Sequence, residues 1–285
     1  MRNRSRFASR FILYPVICVF AYFTVIFLSA FPVAAVKGEN YLEYEGAIYL
    51  IEGVVGLIAI FIWFYFRKKL QLSCPSCSAG KPLDWVFGTV SALAMLGVAF
   101  IYFYLATHMK ASFVEKALKD YDDMMQVRSA SDLDIYMNVF ATCLLIPILE
   151  ELLFRGIIME GMLELGRPVL AVVCSSLVFG IMHGQPVQIG YAFLAGMILG
   201  AVYYLTGNIV MSILSHIIFN VFGSGIYLLF TIPEKTENVL TIVQVAALVP
   251  FAVICVYLII KRKKRSSENV TEPAGNRSLV QGRHA

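Results

Sequence analysis

Charged residues are scarce in this sequence. Only 15% of the 285 residues are Asp, Glu, Lys or Arg, whereas 59% are hydrophobic. A soluble domain carries charge on roughly a quarter of its residues, so this chain lacks the charge needed to cover a water-facing surface of its size. The composition therefore excludes an ordinary soluble protein and indicates a polytopic membrane protein built as one bundle.

Several motifs that would point to other functions are also missing. There is no H-E-x-x-H, the pattern of soluble zinc metalloproteases. Cys74 and Cys77 form a single C-x-x-C with no two further ligands at a standard spacing, so their role stays open. The acidic segment 112–134 lacks the order of a calcium loop, and we expect a solvated external loop with an amphipathic stretch. Aromatic residues do not alternate with the basic ones, so we expect no nucleic-acid partner.

Eight apolar runs are long enough to be membrane spans, which need about 17–25 residues. Because only helices satisfy all backbone polar groups within one such segment, we predict an all-α polytopic membrane helix bundle with about eight transmembrane helices. The fifth run is short for a full span. The predicted spans are Phe11–Val36, Gly46–Phe66, Trp85–Thr107, Tyr136–Leu163, Pro168–His183, Gln188–Leu205, Ile209–Phe230 and Leu240–Ile260.

The spans divide the chain into four parts. The first holds three helices and the external acidic loop, the second holds the helices with polar motifs, the third holds the last helix and its basic flank, and the fourth is a disordered tail. These parts are residues 1–135, 136–230, 231–265 and 266–285. The lipid bilayer is thus a partner of most of the chain.

Basic residues indicate the orientation. With eight spans both termini share one side, which receives fourteen Lys and Arg residues, whereas the other side receives six. The positive-inside rule then places both termini in the cytoplasm, and we expect a bacterial cell membrane. The Arg-rich start also resembles a cleavable signal peptide. Its apolar stretch of 26 residues is longer than the usual apolar core of such peptides, about 7–15 residues, so we expect a retained helix.

Local patterns predict how some helices bend, pack and turn. Pro147 lies inside the fourth run and should kink or shorten that helix, because it removes a backbone donor. Gly196 and Gly200 form a G-x-x-x-G pattern in the sixth run, which favours close helix packing. Thr206–Asn208 has the composition of a tight turn between the sixth and seventh runs.

Two glutamates and an arginine interrupt the fourth run. A charge at the centre of a membrane helix costs about 2.5–3.5 kcal/mol on insertion scales, so Glu150, Glu151 and Arg155 need partners or a function. Glu151 and Arg155 are four residues apart and share a helical face, whereas Glu150 is turned about 100° away. We expect Arg155 to hold Glu151 while Glu150 faces a cavity as a general base on water. A buried ion pair that only fixes helix packing is the alternative.

Two further polar clusters lie in later runs. Phe179 precedes His183 by four residues, and His216 precedes Asn220 by four, so each pair lies on one helical stripe. The imidazole and carboxamide of the second pair can donate hydrogen bonds to a developing oxyanion. Taken singly, each histidine could equally be an interhelical hydrogen-bonding group.

The same side chains could instead bind a metal. One glutamate and two histidines with an open position form a known catalytic zinc set, and here the set would be Glu150, His183 and His216. The sequence leaves open whether the protein uses a divalent metal such as zinc or no cofactor.

At these residues the chain resembles the CPBP family of intramembrane proteases, also called the Abi or CAAX-protease and bacteriocin-processing family. The family motifs E-E-x-x-x-R, F-x-x-x-H and H-x-x-x-N all occur, in that order, within residues 136–230. The matching residues are Glu150, Glu151, Arg155, Phe179, His183, His216 and Asn220.

The resemblance implies a membrane-embedded endopeptidase. Glu150 and His183 would activate a water molecule for attack on the scissile carbonyl, and His216 and Asn220 would stabilise the oxyanion. Glu151 and Arg155 would organise the first carboxylate. The substrate would be a membrane-associated protein, such as a prenylated CAAX protein, or a peptide precursor such as a bacteriocin leader. The resemblance is compatible with either a metal-dependent or a metal-free, glutamate-dependent mechanism.

Two other functions are compatible with the sequence. One is a non-catalytic bacteriocin-immunity or binding protein of the same fold, and the other is a proton-coupled transporter. Transporters often show two related halves, and no such repeat is visible here.

Helix geometry also predicts that the site residues lie at different depths in the membrane. At about 1.5 Å per residue, His216 lies roughly 10 Å from the cytoplasmic end of its run, whereas Glu150 and His183 lie roughly 20 Å or more from theirs.

Overall fold

The structure is a computed structural model that describes residues 9–69, 74–125, 129 and 131–271. Every regular element in those ranges is a helix, which confirms the all-α prediction. Two segments lie outside the described residues. They are the basic start of the chain, with Arg2, Arg4 and Arg6, and the tail beyond residue 271. The helices are α1 (Tyr14–Lys37), α2 (Glu45–Lys69), α3 (Pro82–His108), α4 (Ser112–Met125), α5 (Asp132–Leu163), α6 (Pro168–Met182), α7 (Pro186–Thr206), α8 (Ile209–Leu229), α9 (Glu234–Ala246) and α10 (Leu248–Thr271).

Seven spans among the described residues are long and apolar enough to cross a bilayer, with α9 and α10 forming one of them. Helix α6 has 15 residues and is therefore about 22 Å long, which is less than the hydrocarbon core of about 30 Å. Seven long spans and one short apolar helix agree with the prediction of about eight, including its short fifth member. The chain is an integral membrane protein.

Large apolar side chains point outward from the bundle. Phe20, Ile242 and Val249 are each more than two-thirds exposed. On a soluble protein such a surface would be an aggregation or interaction site. On this bundle it is the surface that faces lipid, because these residues lie within the spans.

The helices form two packed groups. Helix α3 contacts α7, α8, α9 and α10, whereas α1 packs on α2, and α2 packs on the first half of α5. Helix α3 approaches α9 closely at Gly97, where a Cβ atom would lie 2.5 Å from the carbonyl oxygen of Gln244. Helix α8 contacts both α3 and the middle of α5, so it joins the two groups.

Helices α6 and α7 form a close hairpin, as the G-x-x-x-G pattern predicts. A Cβ atom at Gly196 or at Gly200 would lie 3.1 Å from a side-chain carbon of α6. The turn after α7 also follows its sequence. Gly207 adopts a φ of 65°, a left-handed conformation that ends α7, and the Asn208 side chain accepts a hydrogen bond from the Val210 amide to cap α8.

Helix α5 contains two π-helical segments. They are Ala141–Leu145 and Phe154–Met159, and they lie on either side of Glu150. Pro147 follows the first of them, so the helix accommodates the missing backbone donor in a local widening and continues instead of ending. Such widened turns are frequent at functional sites.

The acidic segment 112–134 differs from the predicted solvated loop. Its amphipathic stretch is the helix α4, as predicted, but Asp134 is buried. The two carboxylate oxygens of Asp134 accept hydrogen bonds from the amides of Gly46 and Ala47, at 3.1 and 3.0 Å. The side chain thus satisfies free amides at the start of α2, and a negative charge is favourable there. The predicted tail is also shorter, because α10 continues to Thr271.

Candidate active site

The polar motifs converge from three helices. Glu150, Glu151 and Arg155 lie on α5, His183 directly follows α6, and His216 lies on α8. Despite the predicted difference in depth, Glu151 lies level with His216, because its carboxylate is 3.0 Å from Nδ1 of that ring. Helix α5 has 32 residues and is therefore about 48 Å long, well over the hydrocarbon core of about 30 Å.

Glu151 is the centre of the hydrogen-bond network. Its side chain is fully buried. One carboxylate oxygen accepts from Nη1 of Arg155 at 2.6 Å and lies 3.0 Å from Nδ1 of His216, and the other accepts from the hydroxyl of Ser212. An ionised carboxylate accepts hydrogen bonds and donates none, which suits these three partners. The pairing of Glu151 with Arg155 agrees with their predicted i,i+4 contact.

Arg155 connects three helices. Its Nη2 donates to the carbonyl oxygen of Gly196 on α7 at 3.0 Å, and its guanidinium lies 4.7 Å from the ring centroid of Phe179 on α6. The side chain is fully buried, and Nε has no hydrogen-bond partner among the described residues. A buried guanidinium needs its compensating partners, so Arg155 fixes the geometry of α5, α6 and α7 around Glu151.

His216 lies between the two glutamates. Because its Nδ1 faces the carboxylate of Glu151, the ring carries a proton on Nδ1, and Nε2 is free to act. That Nε2 lies 3.7 Å from Oε2 of Glu150, which is too far for a direct hydrogen bond. A carboxylate that orients one imidazole nitrogen while the other faces the reaction site is the arrangement found in hydrolase triads.

His183 is oriented by its own helix. Its Nδ1 lies 2.8 Å from the carbonyl oxygen of Phe179, so this nitrogen carries the proton and Nε2 has a free lone pair. The ring of Phe179 is 4.8 Å from the ring of His183 and 5.8 Å from the ring of His216, both edge-on. Phe179 thus lies between the two imidazoles, on the stripe that it shares with His183.

Asn220 does not join this network directly. Its Nδ2 donates to the carbonyl oxygen of Thr142 at 2.8 Å. Thr142 precedes Glu150 by eight residues, or about 12 Å along α5. The structure therefore links Glu150, Glu151, Arg155 and His216 through successive contacts of 3.7 Å or less. His183 is connected to them through the ring of Phe179, and Asn220 lies farther away. Joint action of His216 and Asn220 on an oxyanion stays a prediction.

Three polar residues near the site were missed from the sequence. Ser212 precedes His216 by four residues and extends its helical stripe, which could have identified it. Tyr22 and Glu52 are buried in α1 and α2. Glu52 also carried a signal, because it is a lone carboxylate inside a predicted span.

An apolar groove leads to Tyr22 from the lipid-facing side. It lies between α1, α2 and α5 and has a volume of about 210 Å³. Leu149 and Leu153, which flank Glu150 in sequence, form part of its wall. The groove is lined by Tyr14, Ile17, Cys18, Ala21, Tyr22, Val25, Gly56, Ala59, Ile60, Trp63, Leu149, Leu153 and Ile157.

The site residues include side chains of the kinds that bind zinc. A catalytic zinc takes three protein ligands, and Oε2 of Glu150 and Nε2 of His216 could supply two. Within the described ranges, however, no three His, Cys, Asp or Glu side chains are grouped so that they could hold a metal ion. The predicted set of Glu150, His183 and His216 therefore does not fit a three-ligand site as placed, and we derive no step through a metal.

Comparison with known proteins gives one family. The family model described as "Type II CAAX prenyl endopeptidase Rce1-like" matches residues 132–222, which run from the start of α5 into the π-helical segment of α8. Neither curated proteins nor solved structures gave a match to the chain. Over this segment the chain is similar to that family of CAAX proteases. The resemblance to the CPBP family that the three motifs predict is confirmed over this segment.

Proposed function

We propose that the protein is an intramembrane endopeptidase that uses Glu150 as the general base. The observation that carries the proposal is the contact between motifs from separate helices. Glu151 bonds both Arg155 and His216, and Glu150 lies 3.7 Å from the same imidazole. The family match over residues 132–222 supports the same reaction class.

In the proposed reaction, a water molecule binds between Glu150 and His183. Glu150 removes one proton while the water oxygen attacks the scissile carbonyl carbon, and Nε2 of His183 accepts a hydrogen bond from the other O–H. Collapse of the tetrahedral intermediate breaks the carbon–nitrogen bond, and Glu150 returns the proton to the leaving amine. The carboxyl product keeps the oxygen of the water.

The oxyanion of the intermediate requires hydrogen-bond donors. His216 can donate from Nε2 when its ring is protonated, because Glu151 then balances the imidazolium charge. Asn220 lies one helical turn beyond His216 and would be a second donor after release from Thr142. Arg155 keeps Glu151 in place and is not expected to contact the substrate.

The proposed substrate is a membrane-associated protein whose C-terminus carries a lipid, in keeping with the description of the matched family. The apolar groove between α1, α2 and α5 suits such a substrate, because it holds an apolar chain beside Leu149 and Leu153, next to Glu150. A peptide precursor without a lipid would leave this groove unused.

The test is a cleavage assay of purified protein in lipid nanodiscs with a fluorogenic farnesylated CAAX peptide. We expect wild-type protein to cleave this peptide faster than the same peptide without the farnesyl group. Glu150→Gln should lower kcat by about 10²–10⁴-fold, the usual contribution of a general base. The matched control is Glu160→Gln on the same helix, whose carboxylate bonds Tyr203 instead of the site, and we expect it to cleave normally.

The alternatives predict different results. A non-catalytic immunity or binding protein would show no cleavage of either peptide by wild-type protein. A proton-coupled transporter would also show none, and Glu150→Gln would instead abolish proton flux into vesicles. Cleavage by Glu150→Gln at the wild-type rate would refute the assignment of Glu150 as the base.

A further inference from the structure

The hydroxyl of Ser212 is directed away from its own helix. Most of the buried serines in the described bundle donate to the carbonyl oxygen four residues earlier, a common arrangement for a hydroxyl within a helix. Ser212 instead contacts two other helices, because its Oγ donates to Oε2 of Glu151 on α5 and lies 3.1 Å from the carbonyl oxygen of Leu199 on α7. The serines that follow the common arrangement are Ser29, Ser91, Ser176 and Ser215.

The two carboxylate oxygens of Glu151 have different partners. Oε1 accepts from Nη1 of Arg155 at 2.6 Å and lies 3.0 Å from Nδ1 of His216. Within the described part of the chain, Oε2 has Ser212 as its hydrogen-bond partner. A carboxylate that is held at one oxygen alone can rotate about its Cγ–Cδ bond, because the last torsion of a glutamate has broad minima. The bond to Ser212 restricts that rotation.

The backbone of α7 supports both groups that hold Glu151. The hydroxyl of Ser212 has one hydrogen to donate, and it goes to the carboxylate, since hydrogen bonds to an ionised acceptor are the stronger ones. The contact with Leu199 places this hydroxyl against α7. Arg155 donates to the carbonyl oxygen of Gly196, three residues earlier on the same helix. Helix α7 thus fixes the carboxylate from the side of Arg155 and from the side of Ser212.

We propose that Ser212 is a positioning residue that fixes the carboxylate of Glu151, which in turn orients His216. The inference rests on the proposed function. Because Nδ1 of His216 faces Glu151, rotation of this carboxylate would also move the imidazole, whose Nε2 lies 3.7 Å from Glu150. Ser212 is fully buried, acts through Glu151 and is not expected to contact the substrate.

The kinetic test compares variants in nanodiscs with the farnesylated CAAX peptide as substrate. Ser212→Ala removes only the hydroxyl oxygen and should lower kcat about 10-fold, the effect of one hydrogen bond to a charged group, with KM unchanged. Ser212→Thr keeps the hydroxyl and should retain kcat within about threefold of wild type. If Ser212→Ala fails to fold, Ser212→Cys takes its place with the same expected loss, because a thiol is only a weak donor.

The matched control is Ser215→Ala. Ser215 is also fully buried on α8, and its hydroxyl lies 2.8 Å from the carbonyl oxygens of Met211 and Gly88. Ser215→Ala therefore removes the same atom from an equally buried position that does not contact Glu151. We expect wild-type kcat for this variant, and a loss of stability comparable to that of Ser212→Ala.

A spectroscopic measurement tests the positioning independently of cleavage. The chain has only four histidines, so NMR spectra of protein with isotope-labelled histidine are simple, and His216→Ala identifies the signals of His216. Ser212→Ala should shift the Nδ1–H signal of His216, because the carboxylate that accepts this proton moves. Ser215→Ala should leave the signal in place.

The outcomes distinguish this inference from the proposed function. Wild-type kcat in Ser212→Ala would overturn the positioning role and leave the proposed function standing, and so would an unshifted His216 signal. Equal losses of kcat in Ser212→Ala and Ser215→Ala, or a Ser212→Thr variant as slow as Ser212→Ala, would also overturn it, because the effect would then be one of packing. Failure of wild-type protein to cleave the peptide, with the His216 signal shifted in Ser212→Ala, would instead refute the proposed function.

Discussion

Arg155 is the side chain on which the site's geometry depends most. It is fully buried and reaches Glu151, a backbone carbonyl of α7 and the ring of Phe179. Its charge is compensated mainly by Glu151, which is equally buried. Removing one partner of a buried pair leaves an uncompensated charge, and this costs far more than the pair contributes.

We therefore predict that Arg155→Met lowers the free energy of unfolding by about 3–5 kcal/mol. The measurement is equilibrium unfolding in mixed detergent micelles with increasing dodecyl sulfate. Arg262→Met is the matched control, because Arg262 is exposed, bonds only the carbonyl of Tyr204 and stacks on its ring. It should change stability much less. Equal losses in the two variants would contradict the assigned role of the buried pair.

Part of the site was predictable residue by residue from the sequence. The i,i+4 spacing predicts the pair of Glu151 and Arg155, because helix geometry alone places them on one face. The burial of Tyr22 and Glu52 was not predictable, since it depends on how α1 packs against α2 and α5. Asn220 was expected beside the oxyanion, but its carboxamide bonds Thr142. Spacing on one helix gives a side chain's direction and not its partner on another helix.

At the scale of the element, helix contacts depend on a few positions without side chains. Gly97 is one, because a Cβ atom there would lie 2.5 Å from the backbone oxygen of Gln244. The backbone of α9 cannot yield as a flexible side chain would. Gly88 lies on the same helix, and a Cβ atom there would meet its nearest neighbour at 3.4 Å.

We predict that Gly97→Ala destabilises the protein by about 1–3 kcal/mol, the usual cost of overpacking. Gly88→Ala should be close to neutral, since its Cβ atom fits at ordinary contact distance. The loss in Gly97→Ala appears as a lower midpoint in the same unfolding experiment. Identical midpoints for the two variants would show that α3 and α9 are not in close contact at Gly97.

The sequence predicted most helices but not the irregularities of α5. Apolar runs give spans because the bilayer forces every backbone group to bond within its helix. The two π-helical segments around Glu150 could not be predicted from the local sequence. Pro147 predicted only a kink or an early end of that helix. Likewise, Asp134 belongs to an acidic segment that was predicted to be a solvated loop. It is buried instead, because two free amides at the start of α2 donate hydrogen bonds to its carboxylate.

For the whole molecule, the orientation in the membrane is still a prediction from the basic residues. It places the loop between α2 and α3 in the cytoplasm, and that loop carries Cys74 and Cys77, both exposed. A membrane-impermeant maleimide should therefore label neither in intact cells and should label the loop after permeabilisation. The predicted orientation places α4 on the opposite side of the membrane. The variant Lys116→Cys on α4 should therefore be labelled in intact cells. The reverse pattern would invert the topology.

The pH dependence of this labelling is also predicted. Although Cys77 is exposed, partial desolvation by its neighbours and, to a lesser degree, the adjacent Cys74 raise the pKa of its thiol. Because the thiolate is the reacting form, Cys77 should react more slowly than an ordinary thiol at neutral pH and speed up as the pH rises. The measurement uses the variant Cys74→Ser, in which Cys77 is the exposed cysteine that remains in this loop. Its rate of maleimide labelling in permeabilised membranes is measured across pH and compared with that of a small free thiol in solution. A rate equal to that of the free thiol at neutral pH would contradict the raised pKa of Cys77.

The most direct test of the central claim is the release of the C-terminal tripeptide from a farnesylated CAAX peptide, followed by mass spectrometry. Wild-type protein and Glu160→Gln should release it at equal rates, and Glu150→Gln should fall by about 10²–10⁴-fold while remaining folded. Equal release by folded Glu150→Gln and wild-type protein would contradict a hydrolytic site centred on Glu150.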